Sequence, residues 1–529
     1  MTAVLPEPQR YAFLEATLTL DDESTIGPAR GQEMWPGVRA VRRVLAGTTG
    51  LIFPVVSGGH GGEDAQPTVR VGLDESLAPE AYTLKVDETG VDITAGTARG
   101  AGWAAQTLLQ LGPEDVYAAP LGKAIEVCHG QVWDEPRFAH RGAHLDSSRH
   151  FVELNDVFHF LDWMAHHKLN VLHWHLTDDQ GWRIASPDFP RLAEVASWRA
   201  STQNRYGGDT LTPHGGYYTL EQIRAVANYA RDLGIETVPE IDFPGHATAV
   251  LNAYPEFATD PSALQGVAVY PTIFPNVIDF SPEALDFVHR IWEQVIEATG
   301  ATRVHIGGDE VPTEHWEASD EVRARAAEFG VDDVTKIQRW FTLHMRDWLA
   351  ERGVTAIAWD EVVDDGPVEG MICQSWRGAE QGQRAARGGM DVVMSPLTHT
   401  YYDFYQSDLR EEPYGQGAIT TIEDVLEFDP VAGLEPEAAA HVIGTQFQLW
   451  SEFLPDYRSV LYSAWPRGCA LAEIAWGGRK EGDYEGEFFI RLREHLRRFD
   501  AAGVNYRPLD GPHPWQQGGT GWRKRPDDD

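Results

Sequence analysis

From about Arg137 onward, short apolar runs alternate with segments whose apolar positions recur at helical spacing. Eight runs read as strands: "RGAHLD" from Arg141, "NVLHWHL" from Asn170, "ETVPEID" from Glu236, "RVHIGGDE" from Arg303, "TAIAWDE" from Thr355, "GMICQSW" from Gly370, "DVVMSP" from Asp391 and "HVIGTQFQLW" from His441. Between them Leu154, Val157, Phe158, Leu161 and Ala165 lie on one helical face, and so do Leu220, Ile223, Ala227 and Ala230 behind a Thr219/Gln222 capping box. Eight alternating units predict an α/β chain folded as a (β/α)8 barrel, with a doubly wound open sheet as the runner-up. The first 135 residues follow another pattern. Strict alternation in "YTLKVDETGVDITAG" from Tyr82 turns near Gly90 and leads into an apolar helix, "GWAAQTLLQL", that closes at Gly112. A hairpin followed by a helix predicts a small α+β domain. The expected organisation is thus residues 1–135 as an accessory domain, 136–510 as the barrel, and 511–529 as a tail without regular structure. "GGHGGED" from Gly58 reads as a loop, and no Gly-Lys-Ser/Thr follows it to make a phosphate loop.

Composition narrows the chemistry. With 529 residues and 42% hydrophobic positions the chain is globular and long enough for two domains. Its formal net charge of −38 would repel nucleic acid and anionic membranes, so a neutral partner is expected. No apolar run approaches the ~20 residues of a membrane helix, and "MTAVLPEPQRYAF" lacks the basic start and apolar stretch of a signal peptide. The expectation is a soluble, cytoplasmic protein. Cys128, Cys373 and Cys469 are odd in number and far apart, which predicts buried free thiols, with neither a disulfide framework nor a cysteine zinc site. Eighteen tryptophans and 17 tyrosines suit a ligand with apolar faces and hydroxylated edges.

Candidate chemistry gathers where the barrel strands end, which is where such barrels build their sites. The fourth run, "VHIGGDEVP", sets Asp309 and Glu310 side by side at its end. Two neighbouring carboxylates push their pKa values apart, a device for acid–base work. Adjacent strand residues point to opposite faces, so both can enter one pocket only if the backbone leaves the extended form, a freedom that Gly307 and Gly308 supply. Strand two runs into Asp178 and Asp179, and strand three into Glu240, Asp242 and His246. Trp359, Trp376 and Trp450 close strands five, six and eight, and "HTYYDFYQ" follows strand seven. Aromatic walls beside acids suit a pyranose, whose C–H faces meet rings while its hydroxyls meet carboxylates. Two other classes compete: a metal-dependent hydrolase with His173, His175, His246, His305 and Asp309 as ligands, and a carbohydrate-binding protein without activity.

Taken together, "LDSSRHF" (145–151), "NVLHWHLTDDQGWR" (170–183), "GGYYTLEQIR" (215–224), "VPEIDFPGHA" (238–247), "HIGGDE" (305–310), "YYDFYQSD" (401–408) and "WSE" (450–452) are similar to the motifs of the glycoside hydrolase family 20 β-N-acetylhexosaminidases. The N-terminal segment also resembles that family's accessory domain. The resemblance implies an exo-acting, retaining enzyme that removes terminal β-linked GlcNAc or GalNAc from small oligosaccharides or glycoconjugates, with no cofactor and no metal ion. The substrate's own 2-acetamido oxygen would attack the anomeric carbon. By position Glu310 would be the general acid and base, Asp309 the carboxylate that holds the acetamide N–H, and Tyr401 the donor to the acetamide oxygen. Trp359, Trp376 and Trp450 would wall the sugar, Arg149, Asp403 and Glu452 would bind its outer hydroxyls, and Asp178 and His246 would support the acid. One stretch departs from the family pattern. "YPTIFPNVIDFSPEA" from Tyr270 lacks the Cys-Pro-Gly-Asn type of loop expected near the mouth of the pocket.

Overall fold

The computed structural model describes residues 3–56, 66–203, 208–478 and 482–517. The glycine-rich stretch from Gly58 to Asp64 and the tail beyond residue 517 lie outside the described residues. The first domain carries strands β1 (Arg10–Leu20), β2 (Ile26–Pro28), β3 (Val69–Leu73), β4 (Tyr82–Asp87), β5 (Gly90–Ala95) and β6 (Ile125–Asp134) in one sheet ordered β1-β6-β4-β5-β3-β2. The hairpin expected at Gly90 is β4–β5, paired antiparallel from Tyr82↔Ala95 to Asp87↔Gly90. Tyr82, Leu84 and Val86 alternate inward, and helices Trp35–Thr49 and Ala98–Gln110 cover that face.

The second domain is a closed barrel of eight parallel strands, each beside its neighbour in sequence: β7 (His140–Asp146), β8 (Val171–His175), β9 (Glu236–Glu240), β10 (Arg303–His305), β11 (Thr355–Trp359), β12 (Ile372–Ser375), β13 (Asp391–Met394) and β14 (Val442–Phe447). β14 pairs back on β7 from Gly444↔His140 to Phe447↔Ala143 and closes the ring. The eight apolar runs are these strands, and the open-sheet alternative falls away. Helix Leu154–His166 follows β7, and helix Leu220–Asp232 follows β8 behind the Thr219/Gln222 box, whose two reciprocal bonds are both present. The fifth unit departs from the pattern. Only a 3₁₀ turn, Asp360–Val363, separates β11 from β12, because Gly366, Pro367 and Gly370 break up the short connection.

Within the barrel, Val171, Val238, Ile357, Ile372 and Val393 form an apolar plug. A polar layer lies above it, and above that a smaller aromatic cluster of Trp359, Tyr401 and Trp450. The accessory domain clamps the opposite end. Lys168, just before β8, places Nζ 2.8 Å from Asp134 Oδ2 and 2.9 Å from Tyr82 OH, and Arg141 on β7 pairs with Glu80 at 2.5 Å. All three cysteines are free. Cys373 and Cys469 are buried as expected, whereas Cys128 on β6 is only partly covered. Residue Gln516, expected in the tail, bonds the Tyr506 carbonyl and Asn505 Oδ1 at 2.8 and 3.0 Å. Among the described residues no helix is long and apolar enough to cross a membrane.

Candidate active site

Strand β10 ends at His305, four residues before Asp309, so the acid pair lies on the loop beyond the strand and not at its last position. The loop turns at once: Gly307 has φ 66°, Gly308 φ 96° and Glu310 φ 49°. A side chain at Gly307 would set its Cβ 1.7 Å from Asp242 Oδ1, which also accepts a 2.9 Å bond from the Gly308 N–H. Asp242 therefore clamps the turn that brings both acids to one side.

Asp309 Oδ2 and Glu310 Oε2 each lie 3.7 Å from His246 Nε2. His246 sits on the turn after β9 with φ 46°, and its Nδ1 faces Asp179 Oδ2 at 3.1 Å and Asp178 Oδ1 at 3.4 Å. Burial alone would keep this imidazole neutral, but Asp178, Asp179 and Asp309 hold it protonated well above the usual histidine range. Partial desolvation, then the charge of Asp309, raises the pKa of Glu310 against the pull of His246 and Arg149. Asp242 is pushed far up by complete burial and by Asp309, so the proton of that carboxyl pair stays on Asp242. Glu310, its carboxyl raised above the usual range, thus stands beside Asp309 in one place.

These acids open into a cavity of about 360 Å³ whose lining includes Arg149, Gln180, His246, Trp376, Tyr401, Asp403, Trp450 and Glu452. Arg149 Nη2 pairs with Asp178 Oδ2 at 2.7 Å, Nη1 lies 3.4 Å from Asp146 Oδ2, and the guanidinium rests 4.8 Å over the Trp450 ring. Burial raises the pKa of both Asp403 and Glu452. Asp309 Oδ1, Asp403 Oδ1 and Glu452 Oε2 are buried without a protein partner. Proteins rarely leave such atoms unpaired, so three acceptors set around one cavity mark a place for a ligand rich in donors.

Trp376 and Tyr401 stand nearly parallel, with ring centroids 6.4 Å apart, and the Trp376 indole donates to Glu361 Oε2 at 3.1 Å. Trp359 does not border the cavity. As the last residue of β11 it points into the barrel, 1% exposed, with its indole N–H donating to Glu240 Oε1 at 2.9 Å and its ring 5.7 Å from Trp450. It is floor where wall was expected. Asp178 likewise stands behind Arg149 and His246, outside the cavity itself.

Sequence reasoning gave no role to Asp242, Gln180 or Glu361. The last carries a carboxyl pushed up to about 8 by burial, Asp309 and Asp360. Its signal was the second of two acids that follow the strand-five tryptophan, in Trp359-Asp360-Glu361. Loop residues Pro271, Thr272 and Ile273 border the cavity, which puts the divergent stretch from Tyr270 at its mouth. Of the five ligands expected for a metal hydrolase only His246 and Asp309 come together, 3.7 Å apart with Asp242 beside them, and the other three do not join them. His173 and His305 stack on each other inside the barrel, both His175 nitrogens face carboxylates, and His246 stands at the rim.

The chain matches two family descriptions: glycosyl hydrolase family 20, catalytic domain, over residues 138–479, and the same family's domain 2 over residues 1–134. It is 33% identical to a β-hexosaminidase of Porphyromonas gingivalis over 98% of its own length, and spans 65% of that relative. It is 32% identical to one from Akkermansia muciniphila, covering 82% of this chain and 86% of that one. A crystal structure of the family 20 exo-β-N-acetylglucosaminidase from Vibrio harveyi, in complex with N-acetylglucosamine, superposes with a TM-score of 0.84 at 29% identity, covering 96% of this chain and 78% of that one. The Streptomyces coelicolor β-N-acetylhexosaminidase superposes at 0.79 and 30%, covering 96% and 98%. Both domains of the chain, the accessory one and the barrel with its acid pair beyond the fourth strand, match this family, and the chain belongs to glycosyl hydrolase family 20.

Proposed function

We propose that this protein is a retaining exo-β-N-acetylhexosaminidase that cleaves terminal β-linked GlcNAc or GalNAc from small oligosaccharides with the help of the substrate's own acetamide. The observation that carries the reading is the turned loop, which presents Glu310, its pKa raised by partial burial and by Asp309, and the neighbouring Asp309 to a single cavity. A cavity of about 360 Å³ suits one sugar ring better than a chain. In the pocket Glu310 gives its proton to the glycosidic oxygen while the acetamide oxygen attacks the anomeric carbon, and Asp309 holds the acetamide N–H as positive charge develops there. Tyr401 donates to the acetamide oxygen, and Trp376 and Trp450 wall the ring above the Trp359 floor. Arg149, Asp403 and Glu452 take the outer hydroxyls, which leaves no room for further sugars on that side. In the second step Glu310, now a carboxylate, takes a proton from the attacking water. Asp178 and His246 steady the charge that Glu310 meets in both steps.

The test compares initial rates on two aryl β-glycosides that differ only at C2, N-acetylglucosaminide and glucoside, with chelator present. The acetamido sugar alone should be hydrolysed; equal rates on both would overturn substrate assistance, and loss of rate with chelator would revive a metal. Asp309→Asn should keep the fold and lose roughly two to three orders of magnitude in kcat. The acid must be protonated to act, so activity falls as pH rises through the pKa of Glu310. Because that pKa is raised, the alkaline limb of kcat/KM should lie above the ordinary carboxylate range.

A further inference from the structure

Below the acid pair, the barrel carries a row of ionisable side chains that pairwise sheet register sets at one level. Asp146 on β7 pairs with His175 on β8, His175 with Glu240 on β9, and Glu240 with His305 on β10. In a parallel sheet, registered residues share a layer and point the same way, so the fold itself brings these groups into contact.

His175 is fully buried. Its Nδ1 bonds Glu240 Oε2 and its Nε2 lies 3.0 Å from Asp178 Oδ2. An imidazole with a carboxylate on each nitrogen needs both protons, so His175 is a cation. Burial opposes that charge, but Glu240, and after it Asp178, overcome the penalty and push the imidazole up to about 10. Glu240 is held as a carboxylate despite its own burial by His175, His305 and His173, and it also accepts the Trp359 indole N–H. Asp178 then carries contact upward: its Oδ2 meets His175 and Arg149, and its Oδ1 faces His246, whose other nitrogen faces Glu310.

We propose that Glu240 and His175 are positioning residues that continue the Asp178–His246 support into the barrel and govern how readily Glu310 gives up its proton. The same Glu240 ties this line of charge to the Trp359 floor, so the acid and the aromatic base of the pocket share one buried anchor. The inference rests on Glu310 being the general acid. The other titratable and charged groups that face the line are Asp309 and Arg149 beside Glu310, Asp179 and Asp242 beside His246, Asp146 beside Arg149, and His144, kept neutral by burial, 4.0 Å from Glu240.

Charge sign makes the proposal testable. His175→Gln removes a buried cation and leaves the charge of Glu240 less compensated, with Trp359, His173 and His305 still around it. Glu310 then holds its proton more tightly, and the alkaline limb of kcat/KM on the aryl N-acetylglucosaminide moves up by roughly half a pH unit. The double variant H175Q/E240Q removes both charges and returns the limb toward its wild-type place. A merely structural role predicts rate lost in both variants with the limb unmoved, and that result would overturn the proposal. Thermal unfolding followed by circular dichroism confirms that each variant is folded. If H175Q does not fold, E240Q alone decides: its limb should move down, and a wild-type limb would sink the idea. Glu310→Gln separates the two levels. Undiminished turnover there removes the general acid and this inference with it, whereas a Glu310-dependent limb that ignores His175 removes only the inference.

Discussion

A few atoms at Gly307 decide whether the acid pair can exist. Its positive φ is open to a glycine, and the space where a side chain would begin holds Asp242 Oδ1. Gly308 has a positive φ too, yet a Cβ there meets only Gln338 at 3.6 Å, an ordinary contact. The two neighbours should therefore respond differently. Gly308→Ala should cost about 1 kcal/mol of stability from backbone strain alone and retain most activity. Gly307→Ala must displace either Asp242 or the loop, so kcat should fall by at least about two orders of magnitude. Steady-state kinetics with urea denaturation on both variants checks this, and equal behaviour would mean that Asp242 does not clamp the turn. At the same scale, the pKa of Asp242 shows why its place matters. A neutral carboxyl can lie against Asp309 without the repulsion that two anions would bring.

Where an element stops determines what its last residues do. Trp359, Trp376 and Trp450 look alike in sequence, each closing an apolar run. In the fold Trp359 is still inside β11, Trp376 is one residue past β12, and Trp450 is three past β14. The first joins the barrel core and the other two reach the cavity. Trp359→Ala should cost about 3–5 kcal/mol, as for a large side chain removed from a packed interior, while Trp376→Ala should leave stability nearly unchanged and raise KM. Chemical denaturation together with substrate titration separates the two cases. This also explains how far the sequence could be read. All eight strands were legible because strands buried on both faces are continuous apolar runs bounded by turn residues. The acid pair, the rim aromatics and Arg149 were legible from motif and from position near strand ends. The end of β10 at His305 was not, since Ile306 extends the apolar run past the point where pairing stops. Nor were the anchors at Glu240 and His175, because the signal lies in the register between strands, which no single run contains. The missing fifth helix was hidden for a similar reason, as a short connection rich in turn residues differs little from a helix end.

On the scale of the whole chain, the catalytic rim and the accessory domain occupy opposite ends of one barrel. Lys168, Asn170 and Arg141 stand where β8 and β7 begin, and each reaches into the first domain, to Asp134, Glu80 and Glu80. Trp103 and Trp476 add indole bonds to the same two acids, 2.8 Å each. A single apolar cluster runs through both domains, from Val38 and Leu84 to Phe160 and Trp465. The arrangement makes the accessory domain a seat for the first two barrel strands, away from substrate. Lys168 is fully buried, and burial pulls its pKa down while Asp134 supports the charge. Removing one member of such a pair strands the other, so Lys168→Met should lower unfolding free energy by about 3–5 kcal/mol. The double variant with Asp134→Asn should recover part of that loss, because no uncompensated charge then remains. KM should stay at the wild-type value in both, since neither residue is near the cavity. With a shared core, circular dichroism and tryptophan fluorescence should trace one coincident transition in urea. Two separate transitions would show that the barrel stands without its neighbour, and the buried pair would then be a contact between independent domains and not part of a common fold.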